Sequence, residues 1–76
     1  MQLTTVDSSM IHAVGYDEDA RELEVIFNSG GIYRYMDVDR DEYEALLQAE
    51  SKGQYMRACI IDAYPYYKVR SRGRKR

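Results

Sequence analysis

Leu23-Glu24-Val25-Ile26-Phe27-Asn28-Ser29-Gly30-Gly31-Ile32-Tyr33-Arg34-Tyr35-Met36 is the stretch on which the fold turns. Leu23, Val25 and Phe27 alternate with Glu22, Glu24 and Ile26, the period of two shown by a strand with one buried face. Asn28-Ser29-Gly30-Gly31 then reads as a hairpin, because its glycines reach positive φ without a Cβ clash. Ile32 to Met36 returns as a further strand, rich in aromatic residues that suit a pleated surface. Upstream, Met10-Ile11-His12-Ala13-Val14-Gly15-Tyr16 is apolar-rich and ends in the turn formers Asp17-Glu18-Asp19. It supplies the first strand of a three-stranded antiparallel meander, and residues 1–8 read as a lead-in. Alternation puts Tyr33 and Tyr35 on one face and Ile32, Arg34 and Met36 on the other. Periodicity alone leaves open which face is inward.

The period changes after Val38. Asp39 suits a helix N-cap, and Glu42 three residues on completes a capping box. Tyr43, Leu46, Leu47 and Glu50 follow at i, i+3, i+4, i+7, an amphipathic stripe one residue short. Ser51-Lys52-Gly53-Gln54 is a second capping box, and its helix sets Tyr55, Met56, Cys59, Ile60, Ala63 and Tyr64 on one side before Pro65 stops it. The predicted fold is α+β: a three-stranded antiparallel meander followed by two helices packed on one face, then a basic C-terminal tail. The boundaries are a single domain over residues 1–67 and a flexible tail over 68–76.

With 76 residues the chain has room for one modest core and no deep cofactor cleft. The longest apolar run, Ala58-Cys59-Ile60-Ile61, is far too short to span a bilayer, and no basic and apolar leader opens the chain. A cytoplasmic protein without membrane contact is the expectation. One cysteine and one histidine exclude an internal disulfide framework and a Cys/His zinc site, so no cofactor is expected. Oligomeric state is not readable. Charge is divided along the chain: residues 1–51 carry 12 acidic and three basic side chains, net −9, whereas residues 52–76 carry eight basic and one acidic, net +7. Lys68, Arg70, Arg72, Arg74, Lys75 and Arg76 close the chain without a carboxylate. Such arms touch polyanions, because each neutralised phosphate releases counterions; the plainer reading is a solubilising tail folded back on the acidic surface.

Val6-x-Ser8-Ser9, Gly15-Tyr16-Asp17, Leu23-x-Val25-x-Phe27, Gly31-x-Tyr33-x-Tyr35 and Ala49-x-Ser51-Lys52-Gly53-x-Tyr55 together, in this order and spacing, resemble the KTSC domain. That family is named for its occurrence at the C-terminus of some lysyl-tRNA synthetases and also occurs as small stand-alone proteins. The resemblance covers residues 6 to 64. It implies a small β-plus-helix module with suspected RNA binding, and it assigns no catalytic residue. Members often carry Val-Pro before the first helix; here Val38 is followed by Asp39, and both residues suit a helix start.

The candidate site residues are Tyr33, Arg34, Tyr35, Ser51, Lys52, Gly53, Lys68, Arg70, Arg72, Arg74, Lys75 and Arg76. Tyr33 and Tyr35 offer stacking surfaces for bases, or they pack beneath the helices with their hydroxyls at the rim. Arg34 points to the opposite face and cannot share that stack. Ser51-Lys52-Gly53 at a helix start can receive a phosphate, or it serves the cap and a tight helix contact alone. His12 lacks a partner carboxylate at any recognisable spacing, Cys59 lies on an apolar stripe, and Asp37, Asp39, Asp41 and Glu42 lack the spacing of a calcium loop. Tyr64, Tyr66 and Tyr67 run into Lys68 and Arg70, an interleaving that suits single-stranded nucleic acid or tyrosines packed back on the core. No nucleophile–base pair or phosphate loop is visible. The expected activity is binding without catalysis, to nucleic acid and to RNA before DNA. Two alternatives stand beside it: a protein-interaction module using the uncovered sheet face or an acidic patch, and a small nucleotide-like ligand held between copies of the chain.

Overall fold

The glycine-bearing hairpin is formed as the sequence predicts. Phe27 N–H donates to the Gly31 carbonyl and Gly30 N–H to the Phe27 carbonyl, both at 2.9 Å. Gly30 takes φ +105°, a region that other residues rarely adopt. The computed structural model describes residues 3–69. Its elements run β1 (Leu3–Thr5), β2 (Ile11–Asp17), β3 (Glu22–Phe27), β4 (Ile32–Tyr35), α1 (Arg40–Gln48), α2 (Lys52–Tyr55), a π-helical turn over Met56–Ile60, and β5 (Tyr66–Val69).

Three predicted strands become five. The sheet has the order β1-β2-β3-β4-β5, antiparallel throughout. The additions are its two edges: Leu3–Thr5, read as a lead-in, pairs with β2, and Tyr66–Val69, placed at the domain end and tail start, pairs with β4. Edge strands of three and four residues are exposed on both sides, so they carry no alternation to read. Lys68 therefore lies within the sheet, whereas the predicted tail residues Arg70, Arg72, Arg74, Lys75 and Arg76 lie outside the described residues.

Both helical segments cover the face that carries Leu23 and Val25. Ile11, Val14, Leu23, Val25, Leu46, Met56 and Ile60 form one buried cluster, with Phe27, Tyr33 and Leu47 packed against it. Tyr33 stands opposite Val25 and Tyr35 opposite Leu23, which settles the open question: both rings face the helices. A register shift between Ile11 and Ala13 inserts His12 as the extra residue of a bulge, turned outward and exposed, so that Ile11 and Val14 both reach the core.

The helix starts differ from their predicted chemistry. Asp39 occupies the N-cap of α1 without a side-chain cap bond, because its carboxylate is taken by Arg21 from the β2–β3 turn. Glu42 does not close a box either: it accepts from the Tyr55 hydroxyl at 2.8 Å and from the Tyr64 hydroxyl at 3.5 Å. Ser51 does cap, its Oγ accepting from Gln54 N–H at 3.4 Å. The second helix does not run on to Pro65. Ile61 N–H bonds the Met56 carbonyl at 2.8 Å, a five-residue closure characteristic of a π turn, and turns follow before Pro65, whose carbonyl accepts from Met36 N–H at 2.8 Å.

Candidate functional site

The two sheet faces carry different chemistry. On the face away from the helices, Arg34 lies opposite Glu24 and donates from Nε to its carboxylate at 2.9 Å and from Nη1 to Glu22 at 3.0 Å. Asp17 adds an ion pair at 3.6 Å, and the Tyr67 hydroxyl donates to Glu22 at 2.8 Å. Glu24 is only 5% exposed, and its burial is compensated by the ion pair with Arg34. Partial burial opposes the guanidinium charge, but the hydrogen bonds to Glu22 and Glu24 outweigh it and hold its pKa above the usual value. As the sequence predicts, Arg34 shares no stack with Tyr33 and Tyr35; its guanidinium is occupied by carboxylates.

On the helix-covered face, the edge formed by β4 and β5 opens into an aromatic cleft. Phe27 meets Tyr33 edge-on with ring centroids 5.6 Å apart, Tyr33 lies 5.7 Å from Tyr66, and Tyr66 lies 5.5 Å from Tyr35. Phe27, Ser29, Tyr33, Tyr35, Ile61 and Tyr66 line a space of about 340 Å³. Tyr35 is its floor, 4% exposed, and Tyr66 its outer wall, 54% exposed. Burial, then the neighbouring Tyr66 and Tyr33, push the Tyr35 hydroxyl pKa up. Gly31 shapes the cleft by omission: a Cβ there would stand 3.1 Å from a ring carbon of Tyr33. Lys68 pairs directly with Tyr33 across the β4–β5 ladder, and by strand alternation it shares the face of Tyr66. The exposed lysine therefore borders the aromatic cleft.

Ser51, Lys52 and Gly53 sit apart from this cleft, and each has an internal contact. Ser51 caps α2, the Lys52 ammonium donates to the Ala49 carbonyl at 2.9 Å, and a Cβ on Gly53 would lie 3.2 Å from the Met10 sulfur. The same holds for other motif residues. Ser8 Oγ accepts from Met10 and Ile11 N–H at 3.1 and 3.2 Å; Tyr16 stacks on Tyr43 at 5.4 Å and donates to the Val38 carbonyl. The spaced serines, glycines and tyrosines of the chain thus build its turns and helix contacts.

A family model described as the KTSC domain matches residues 7–64. The chain belongs to the KTSC domain family. A KTSC domain protein from Yersinia pestis, solved as a crystal structure, superimposes with a TM-score of 0.87 at 34% identity, covering 90% of this chain and 96% of that one. An uncharacterised protein of Stutzerimonas stutzeri (strain A1501) is 40% identical over 70 residues, which are 91% of this chain and 99% of the relative. A protein of Tsukamurella paurometabola is 36% identical over 55 residues, 72% of this chain and 82% of the relative. The family match ends at residue 64, just before β5, so the strand that walls the cleft with Tyr66 and carries Lys68 lies beyond the matched segment. Among the described residues no helix is long and apolar enough to cross a membrane, and no group of metal-ligating side chains is assembled.

Of the predicted site residues, Tyr33, Tyr35 and Lys68 come together, Arg34 lies on the other face, and Ser51-Lys52-Gly53 forms a separate corner. Tyr66 reads from sequence only as one of the aromatics before the tail, and no binding motif marks Ser29 or Ile61. Ser29 belongs to the hairpin signal, whose meaning is backbone geometry, and Ile61 reaches the cleft directly after the π turn, a feature with no sequence signature.

Proposed function

We propose that this KTSC domain is a non-catalytic module that binds nucleic acid, RNA in preference to DNA, by phosphate contacts along its basic C-terminal segment. The observation that carries this reading is the position of β5. That strand sets exposed Tyr66 and Lys68 on one face at the sheet edge and leads, at Val69, directly into Arg70, Arg72, Arg74, Lys75 and Arg76 in the sequence. Three carboxylates of the acidic half, Asp17, Glu22 and Glu24, gather around Arg34 on the opposite face. A polyanion approaching the β5 edge meets lysine and tyrosine first.

Titrating the full chain against single-stranded RNA and DNA over a range of salt tests the reading. Binding should weaken steeply with salt, and neutralising Arg72, Arg74 and Arg76 together should lower affinity and flatten the log K against log salt slope by about 0.7 to 0.9 per contact removed. Sequence preference should hardly change, because phosphate contacts position a protein without reading bases. Absence of binding at low salt would overturn the reading and leave a protein-interaction module in its place. Stabilisation by mononucleotides without affinity for polymers would select the small-ligand alternative, and turnover of an ester, phosphodiester or peptide that a point substitution abolishes would overturn the non-catalytic assignment.

A further inference from the structure

We infer that the aromatic cleft between β4, β5 and the π turn holds one unstacked base of a single-stranded RNA, with Tyr66 as its stacking surface and Lys68 on the adjoining phosphate. This inference rests on the nucleic-acid reading and specifies its ligand. The cleft has four properties that such a base requires. Its volume of about 340 Å³ lies at the low end of the roughly 300–1,000 Å³ found for small-molecule sites, room for one ring system and not for a stacked run. Four of its lining side chains are aromatic, and Tyr66 is the one of these presented broadly to solvent, 54% exposed beside a Tyr35 that is 4% exposed. An exposed ring at a cleft mouth offers a π-face to any base, which makes the contact tolerant of sequence. Ser29 on the rim brings a hydroxyl that both donates and accepts, suited to a base edge.

Charge supplies the remaining part of the argument. Lys68 stands opposite Tyr33, one alternation from Tyr66 along the same strand, so a cation borders the stacking surface. A base in the cleft places its own phosphate near that ammonium. A duplex cannot use this arrangement without extruding a base, which costs unstacking and unpairing energy. The cleft therefore selects single strands, whereas the basic segment alone would not.

The test uses the full chain, a labelled single-stranded RNA of mixed sequence, the same strand made abasic throughout, and the same sequence as a duplex. Tyr66→Leu should weaken binding of the base-bearing single strand by roughly 5- to 150-fold, the range covered by stacking on one base, and Tyr66→Phe should keep the wild-type affinity. The abasic strand should bind the wild type and Tyr66→Leu alike, which shows that the leucine variant retains β5 and the basic segment, and the salt slope should be the same for both. The duplex should bind more weakly than the single strand. If the wild type binds RNA but Tyr66→Leu binds the base-bearing strand equally well, or the duplex binds at least as tightly, the cleft has no such role and the phosphate reading stands. If the wild type binds neither strand at low salt, both fall.

Discussion

Arg34 shows how one side chain organises a sheet face. Its guanidinium joins Asp17 and Glu22 at the β2–β3 turn to Glu24 beneath it, and Glu22 in turn accepts from Tyr67 of the edge strand. Removing the arginine leaves Glu24 buried and unpaired. Since the Arg34 side chain is itself 22% exposed, Arg34→Ala should cost about 3 kcal/mol, the lower end of the range for a broken buried pair, and Arg34→Ala combined with Glu24→Gln should recover much of the loss. Urea denaturation of the two variants measures both quantities; a single-variant cost below half a kcal/mol would mean that the pair is solvated. Tyr55 gives a pH signature. Its hydrogen bond to Glu42, reinforced by burial, pushes its pKa up from 10.0 to about 12. The neutral phenol is the form that donates, so its contribution is complete below the unfolded pKa near 10 and is lost as pH rises through about 12. Stability should fall across that window, and Tyr55→Phe should make the fall shallower. Tyr64, Tyr67 and Tyr35, also raised, account for what remains.

The second helical segment owes its form to where its residues must land. Met56 and Ile60 are both fully buried, Tyr55 and Tyr64 both reach Glu42 on α1, and the π turn provides the extra residue between them. Ile60→Ala should cost about 2–5 kcal/mol, as for other large-to-small core changes, read from the urea midpoint; a cost under half a kcal/mol would place Ile60 outside the core. Gly53 makes a related demand, because a side chain would press on Met10. β5 is held by its ladder to β4, by Tyr67 on Glu22 and by the Pro65 carbonyl. A chain ending at Val69 should therefore melt within a few degrees of the full chain, whereas one ending at Pro65 uncovers Tyr35 and Tyr33 and should melt well below it; thermal denaturation followed by circular dichroism compares them.

Across the whole molecule, charge is divided along the sequence between a net −9 over residues 1–51 and a net +7 over residues 52–76. Asp17, Glu22 and Glu24 cluster around Arg34 on the outer sheet face, further carboxylates lie along α1, and the last strand carries lysine and tyrosine at the edge. On the proposed nucleic-acid reading, long-range repulsion from the acidic half should make affinity depend steeply on the basic residues. The chain ending at Val69, folded but without the seven residues from Arg70 to Arg76, should lose most of its affinity at physiological salt, and filter binding or anisotropy checks this directly. Equal affinity would reduce the segment to a solubilising arm.

Local spacing determined the meander over β2, β3 and β4, the Gly30 hairpin, the Ser51 cap and the shared faces of Leu23 with Val25 and of Met56 with Ile60, because burial of one face imprints its period on neighbouring residues. Which sheet face turns inward was decided by where the helices pack. Half of the cleft was visible in the same way, as Tyr33-x-Tyr35 and the basic run from Lys68. The edge strands were not, since residues exposed on both sides carry no period. Nor was the bond between Tyr67 and Glu22, 45 residues apart, or the meeting of Ser29, Ile61 and Tyr66 around one space. Those depend on which strand closes the sheet and how far the π turn rotates the chain, and both are settled by packing between distant segments, where sequence spacing carries no record of the contact.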